Sequence, residues 1–300
     1  MAAGGTILLG PAAVLDGVLH LVHERGWFDT TRPFETSIHF TQGACLWLLL
    51  TRGGVSDTYV KFSRHIRLET EARRFAEASR CHPQLAPRFV GHAHSQGLDV
   101  LACKAVEYRA VGAADAAMLA GLGQYFQAMP SVRLPADLTP LPNAQLPNAL
   151  AKYFGSQAPQ TAVTRWLEGP ALLEATSLPD MPQHGDFVVN NLGQRAAGTA
   201  VVFDWEDFGA VGLPGLDLFT LELSLAGDAA RLLEARSRGA DRAQQFAREA
   251  CASLRLDWNL YLALAPVYAL VFRYLKSNYG PGVRERYDRV LAVFSDRASG

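Results

Sequence analysis

The sequence predicts an α+β chain: a five-stranded antiparallel sheet with a helix in its first third, then a larger, mainly helical part. Three observations carry this. Between residues 34 and 105, short β-branched and aromatic runs with period-two alternation are separated by turns containing Gly or Pro. From residue 112 onward apolar residues recur at helical spacing. Set into that helical part is one stretch, His184 to Gly209, where polar residues of particular chemistry stand at short fixed intervals. With 300 residues, 49% of them hydrophobic, the chain can fill one or two domain cores. The change of pattern divides it at residues 1–104 and 105–300, and no internal repeat is visible.

Residues 11–26 open with Pro11, carry Val14, Leu15, Val18, Leu19 and Val22 at helical spacing and end at Gly26. They read as an extra helix ahead of the first strand, with Asp16, His20 and His23 on its solvated face. Residues 35–40, 44–51 and 58–62 form a meander turning at Gly43 and at Gly53-Gly54. In the third strand, alternation puts Val60 and Phe62 on one face and Tyr59 and Lys61 on the other. A helix follows around residues 68–75. Glu71 lies about 50° from its apolar midline and Glu69 about 110°, so Glu71 points more nearly inward. Residues 87–92 and 98–105 complete the sheet. A helix at 112–128 opens the second part, and residues 130–148, with five prolines, read as an irregular crossover. Helical spacing returns at 216–225, 229–238, 242–254, 260–277 and about 282–296.

The polar residues between His184 and Gly209 carry the chemistry. Asp186 and Asn191 stand five residues apart in one loop, and a short hairpin delivers Asp204 at the end of the apolar run Val201-Val202-Phe203. Together they look like a base plus two oxygen ligands for Mg²⁺, a hard ion that keeps water or phosphate oxygens in its other positions. Phosphoryl transfer needs such a set.

In these residues the chain resembles the aminoglycoside phosphotransferase and choline kinase family, whose signature is His-Gly-Asp, four residues, Asn, then an apolar strand ending in Asp. The match falls on His184, Gly185, Asp186, Asn191 and Asp204, and continues through Leu216-Asp217-Leu218. The resemblance implies a bilobal protein-kinase-like fold, with a nucleotide-binding lobe at 1–104 and a catalytic, acceptor-binding lobe at 105–300. It implies transfer of the γ-phosphate of ATP or GTP to a small-molecule hydroxyl, with Asp186 as base and Mg²⁺ on Asn191 and Asp204. Lys61 would hold the donor phosphates and Glu71 would fix Lys61. His184 and Asp217 would support the loop, Asp217 by capping the next helix. Gly43 would let the backbone approach the phosphates, or is an ordinary hairpin residue. Glu206, Asp207, Glu222, Trp258, Tyr261 and Tyr274 are acceptor-site candidates, each equally readable as a core aromatic or solvated carboxylate. Two departures stand out: Gly212-Leu213-Pro214 lacks the family's Asp before Pro, and the phosphate loop lacks its Gly-plus-Asn pattern.

Composition narrows the partners. Twenty-eight basic against 29 acidic residues give no nucleic-acid or polybasic membrane footprint. The apolar run 7–9 has no basic segment before it and is not read as a signal peptide. The apolar stretch 260–272 contains Pro266 and is too short to cross a bilayer. Cys45, Cys81, Cys103 and Cys251 lack metal-ligand spacing and suit a reducing compartment. The expectation is a cytoplasmic monomer or dimer. Its acceptor would be an aminoglycoside-type antibiotic, or alternatively choline, another amino alcohol or a sugar; a silent nucleotide-binding relative is the remaining alternative. Only four of the 28 basic residues are lysines: Lys61, Lys104, Lys152 and Lys276. A Lys at a chemically meaningful place is therefore more informative than usual.

Overall fold

A computed structural model describes residues 11–40, 45–110, 116–155, 161–238, 242–278 and 281–297. Contacts divide the chain into two compact units, Met1–Glu107 and Tyr108–Gly300.

The first unit contains α1 (Pro11–Glu24), β1 (Glu35–Phe40), β2 (Leu46–Arg52), β3 (Val55–Ser63), α2 (Glu69–Cys81), β4 (Phe89–Ser95) and β5 (Leu98–Lys104). The strands form one sheet in the order β1-β2-β3-β5-β4, each neighbouring pair antiparallel. The turn between β2 and β3 is two residues long because Gly53 and Gly54 both take positive φ, as a type I′ hairpin requires. Gln96 and Gly97 do the same between β4 and β5.

Alternation then sorts the side chains. Leu48, Leu50, Val60, Phe62, Val100 and Ala102 point to one face, where Val18, Leu21, Val22 and Phe28 cover them. That is why α1 exists. A sheet face this apolar must be buried, at about 1.5–3 kcal/mol for each large side chain. The chain after α1 stays close to the sheet because Gly91 has no side chain; a Cβ there would lie 2.5 Å from the indole of Trp27. Helix α2 buries Ala72, Phe75 and Ala78, with Phe75 edge-on to Phe89 at 5.9 Å.

The second unit is mainly helical: α3 (Ala116–Ala128), α4 (Leu146–Gly155), α5 (Thr161–Leu167), α6 (Pro170–Thr176), α7 (Leu216–Ala226), α8 (Ala229–Ser237), α9 (Arg242–Ser253), α10 (Trp258–Ala263), α11 (Ala265–Leu275) and α12 (Pro281–Arg297). A small antiparallel sheet, β6 (Arg109–Ala110), β7 (Leu192–Gln194) and β8 (Ala200–Val202), carries the hairpin expected after the loop of Asp186 and Asn191. The proline-rich crossover contains three short 3₁₀ turns, at 129–131, 136–138 and 143–145. It is pinned by Asn143, whose amide donates to the carbonyls of Leu178, Pro179 and Gly212.

One helix differs from expectation. Residues 260–277 do not form a single helix: α10 ends at Ala263, and α11 restarts with Pro266 in its first turn. Proline has no N–H to continue the ladder and crowds the preceding turn. Helix α11 then stops at Leu275, and Lys276–Asn278 tighten into a 3₁₀ turn.

The covering role of α1 is testable. Leu21→Ala is expected to lower the stability of the first unit by about 2–5 kcal/mol. His23→Ala, on the exposed side, should stay within about 0.5 kcal/mol. Urea unfolding followed by tryptophan fluorescence distinguishes them.

Candidate functional site

In the first unit, β3 presents Lys61 on the face opposite Val60 and Phe62. Its register partners are Trp47 and Leu101. The ammonium reaches both carboxylate oxygens of Glu71 on α2, at 2.7 and 2.8 Å, and lies 5.6 Å from the Trp47 ring. Both side chains are largely buried (9% and 16% exposed), so each charge depends on the other for compensation. Gly43 lies outside the described residues.

In the second unit the loop after α6 is held from behind. Gly185 has φ +84°, and a Cβ there would stand 2.8 Å from that of Asp207, so only glycine fits. Ahead of it His184 is buried; its Nε2–H donates to the carbonyl of Phe203 at 2.9 Å, and Nδ1 accepts the Asp186 amide at 3.2 Å. That is the tautomer the two partners require. The amides of His184 and Gly185 donate to the two oxygens of Asp217, at 2.6 and 2.9 Å. The hydroxyl of Tyr125 on α3 also donates to Asp217.

Asp217 therefore does not cap α7 as expected. Gly215 is the N-cap residue of that helix and has no side chain to cap it; the Asp217 amide donates instead to Gln183 Oε1 at 3.4 Å. As the second residue of the helix, Asp217 faces back into the loop instead. Burial raises its carboxyl to about 6, against the pull of the three donors. Burial and the neighbouring Asp217 charge push the Tyr125 hydroxyl well above its usual range, so it remains a donor.

The side chains of Asn191 and Asp204 are set by this frame. Asn191 donates Nδ2–H to the carbonyl of Asp186 at 2.9 Å, which leaves Oδ1 as the end that can meet a cation. The Asn191 carbonyl accepts the amide of Phe203, tying the loop to the hairpin one residue before Asp204. Asp204 is exposed and takes a left-handed backbone (φ 60°, ψ 61°), at the start of a 3₁₀ turn over Trp205–Asp207. Trp205 anchors that turn, donating to the Val202 carbonyl at 2.8 Å and packing edge-on against His184. A non-glycine residue in this region carries strain, and such positions cluster at functional sites. Among the described residues no group of three or more His, Cys, Asp or Glu side chains could hold a metal. An amide oxygen and one carboxylate fit Mg²⁺, which takes few protein ligands and keeps phosphate and water oxygens.

The acceptor candidates scatter. Glu206 and Asp207 sit on the turn after Asp204. Asp207 is tied to Lys276 at 3.0 Å; burial raises its carboxyl, and the ammonium offsets part of the rise. Glu222 is not in this group. Its carboxylate is occupied by Arg236 at 2.6 Å and by the Tyr261 hydroxyl, and Tyr261 is fully buried. They pack the helices rather than face an acceptor, because a buried Glu on α7 needs a cation and finds one on α8. Trp258 packs on Tyr261 and under the Arg248 guanidinium, and Tyr274 packs edge-on to Tyr153.

Two residues escaped the sequence reading. Tyr125 gave no signal in a helix of apolar spacing. Lys276, 3.0 Å from Asp186 as well as from Asp207, did give one, as a lysine in a chain that otherwise favours arginine.

Neither a family model nor a curated protein matches the sequence. Solved structures do. A Ralstonia eutropha protein provisionally named an aminoglycoside phosphotransferase aligns over 95% of this chain and 98% of its own, with TM-score 0.68 and 14% identity. The choline kinase LicA of Streptococcus pneumoniae aligns over 91% and 98%, with TM-score 0.62 and 12% identity. An aminoglycoside phosphotransferase of Streptomyces rimosus, in complex with ADP and streptomycin, aligns over 87% and 98%, with TM-score 0.54 and 15% identity. The chain has the protein-kinase-like fold. Among the described residues no helix is long and apolar enough to cross a membrane.

The buried Asp217 makes a pH prediction. Its folded-state pKa lies above the ordinary 3.8, so the folded chain binds more protons, and stability falls as pH rises from about 4 to about 6. The stability difference between wild type and Asp217→Asn is expected to shift toward the Asn variant across that window, by on the order of 3 kcal/mol. Denaturant titrations at pH 4, 5, 6 and 7 measure it; a constant difference would contradict the assignment.

Proposed function

We propose that this protein is a small-molecule kinase that moves the γ-phosphate of ATP or GTP to an alcohol. The observation that carries the reading is the bond from Asn191 Nδ2–H to the Asp186 carbonyl. It locks base and metal ligand into one loop and turns an amide oxygen toward where a cation would sit.

In this reading Asn191 and Asp204 would hold Mg²⁺, which when bound would neutralise charge on the donor phosphates. Lys61, oriented by Glu71, contacts the α- and β-phosphates. Asp186 orients the acceptor hydroxyl and takes its proton. The acceptor oxygen bonds to the γ-phosphorus as the bond to the bridging oxygen breaks, and the nucleoside diphosphate leaves. A carboxylate suffices, because a loose transition state asks little proton transfer before the leaving bond has lengthened. His184 shapes the loop and is no second base: both its ring nitrogens are committed. We place the protein in the cytoplasm, in keeping with four free cysteines.

Transfer of label from γ-labelled ATP and GTP with Mg²⁺ tests the reading, using antibiotics, amino alcohols, sugars and a small-molecule cell extract as acceptors. Asp186→Ala is expected to lower kcat by about 10²–10⁴ with nucleotide still bound. Lys61→Ala should act chiefly on the KM for nucleotide. Absence of nucleotide binding by the wild type would sink the proposal.

A further inference from the structure

Lys276 has no part in the scheme above, yet it touches the residue at its centre. The side chain is 3% exposed, and Nζ lies 3.0 Å from Oδ2 of Asp186 and 3.0 Å from Oδ2 of Asp207. The end of α11 puts it there: the 3₁₀ turn that begins at Lys276 carries the ammonium inward, 5.7 Å from the Phe272 ring. A lysine so buried persists only where anions compensate it. Here the two carboxylates are the proposed base and the acidic residue of the neighbouring turn. Tyr287 of α12 lies within the field of both Asp186 and Lys276.

The charge arrangement bears on which alcohol can approach. Carboxylates recognise a cationic substrate by supplying the counter-charge it lacks. At this place the protein already supplies one ammonium, shared by the two carboxylates, and a second ammonium beside Nζ would meet like-charge repulsion in a buried setting. Because Asp186 is held through Oδ2, its other oxygen is the one turned to the hydroxyl. We propose that Lys276 is the resident cation of the acceptor site, taking the position a substrate ammonium would occupy, so that the acceptor is an alcohol with no cationic group beside its reacting hydroxyl. This rests on the kinase reading above. Lys276 acts through Asp186 as a positioning residue and through its charge as a selector between neutral and cationic acceptors.

The test uses matched acceptors with Mg²⁺ and ATP: glycerol against ethanolamine, glucose against glucosamine, and myo-inositol against 2-deoxystreptamine. The wild type is expected to phosphorylate the neutral member of at least one pair with kcat/KM tenfold or more above its amine partner. Lys276→Met should shrink that ratio at least tenfold while leaving the KM for ATP within twofold, a split that general loss of structure would not produce. Lys276→Arg should retain the neutral preference. If the Met variant does not fold, Asp207→Asn replaces it: it keeps Lys276 while removing one carboxylate, and should raise the neutral preference, whereas a fall would overturn the proposal. Preference for the amine, a ratio indifferent to Lys276→Met, or no transfer to any neutral member while nucleotide binds would each overturn it as well. Failure to bind nucleotide would instead remove the kinase reading on which it stands.

Discussion

The buried carboxylate of Asp217 is the constraint on which the second unit's site depends. A loop that bends through Gly185 at positive φ turns two amides inward, where no helix or strand can receive them. Unsatisfied, each would cost about 1–3 kcal/mol. One acid at the head of α7 accepts both, and Tyr125 closes the cluster from α3. Thr220 and Ser224, one and two turns further along α7, bond the Phe187 carbonyl and the Val189 amide. The loop is thus laid along a helix rather than suspended between strands, and Asp186 and Asn191 inherit their directions from it.

The first unit solves a different problem. Its sheet has one apolar face, covered by α1, and one mixed face, where Lys61 emerges beside Trp47 and Leu101 and where α2 packs Phe75 on Phe89. Lys61 is held with little exposure because Glu71 of α2 takes its ammonium and the Trp47 ring lies beside it.

Much of this was legible in the residues. Period-two alternation at Tyr59–Phe62 assigned faces correctly because a strand's geometry allows nothing else. Helical phase picked Glu71 over Glu69, and Glu71 is the residue that meets Lys61. The illegible parts share a cause: a residue's role there depends on what the rest of the chain packs against it. Asp217 looked like a helix cap, since acids favour helix starts; only the neighbouring loop shows that it points elsewhere. Glu222 looked available to a substrate until Arg236, fourteen residues on, was seen to occupy it. Lys276 sits beyond a proline whose break the apolar spacing concealed, and without that break its direction could not be foreseen.

Asp204 bears on how a chain like this could lose or keep its chemistry over time. At φ 60° and ψ 61° its backbone tolerates Gly, Asn and Asp far better than other residues. The mutations that would be structurally easiest there are Asp to Asn and Asp to Gly. Both discard the charge, and Gly would also relieve the strain. Of Gly, Asn and Asp, only Asp brings a charge to this backbone. A descendant bearing Asn or Gly at position 204 would keep the backbone turn and lose the carboxylate.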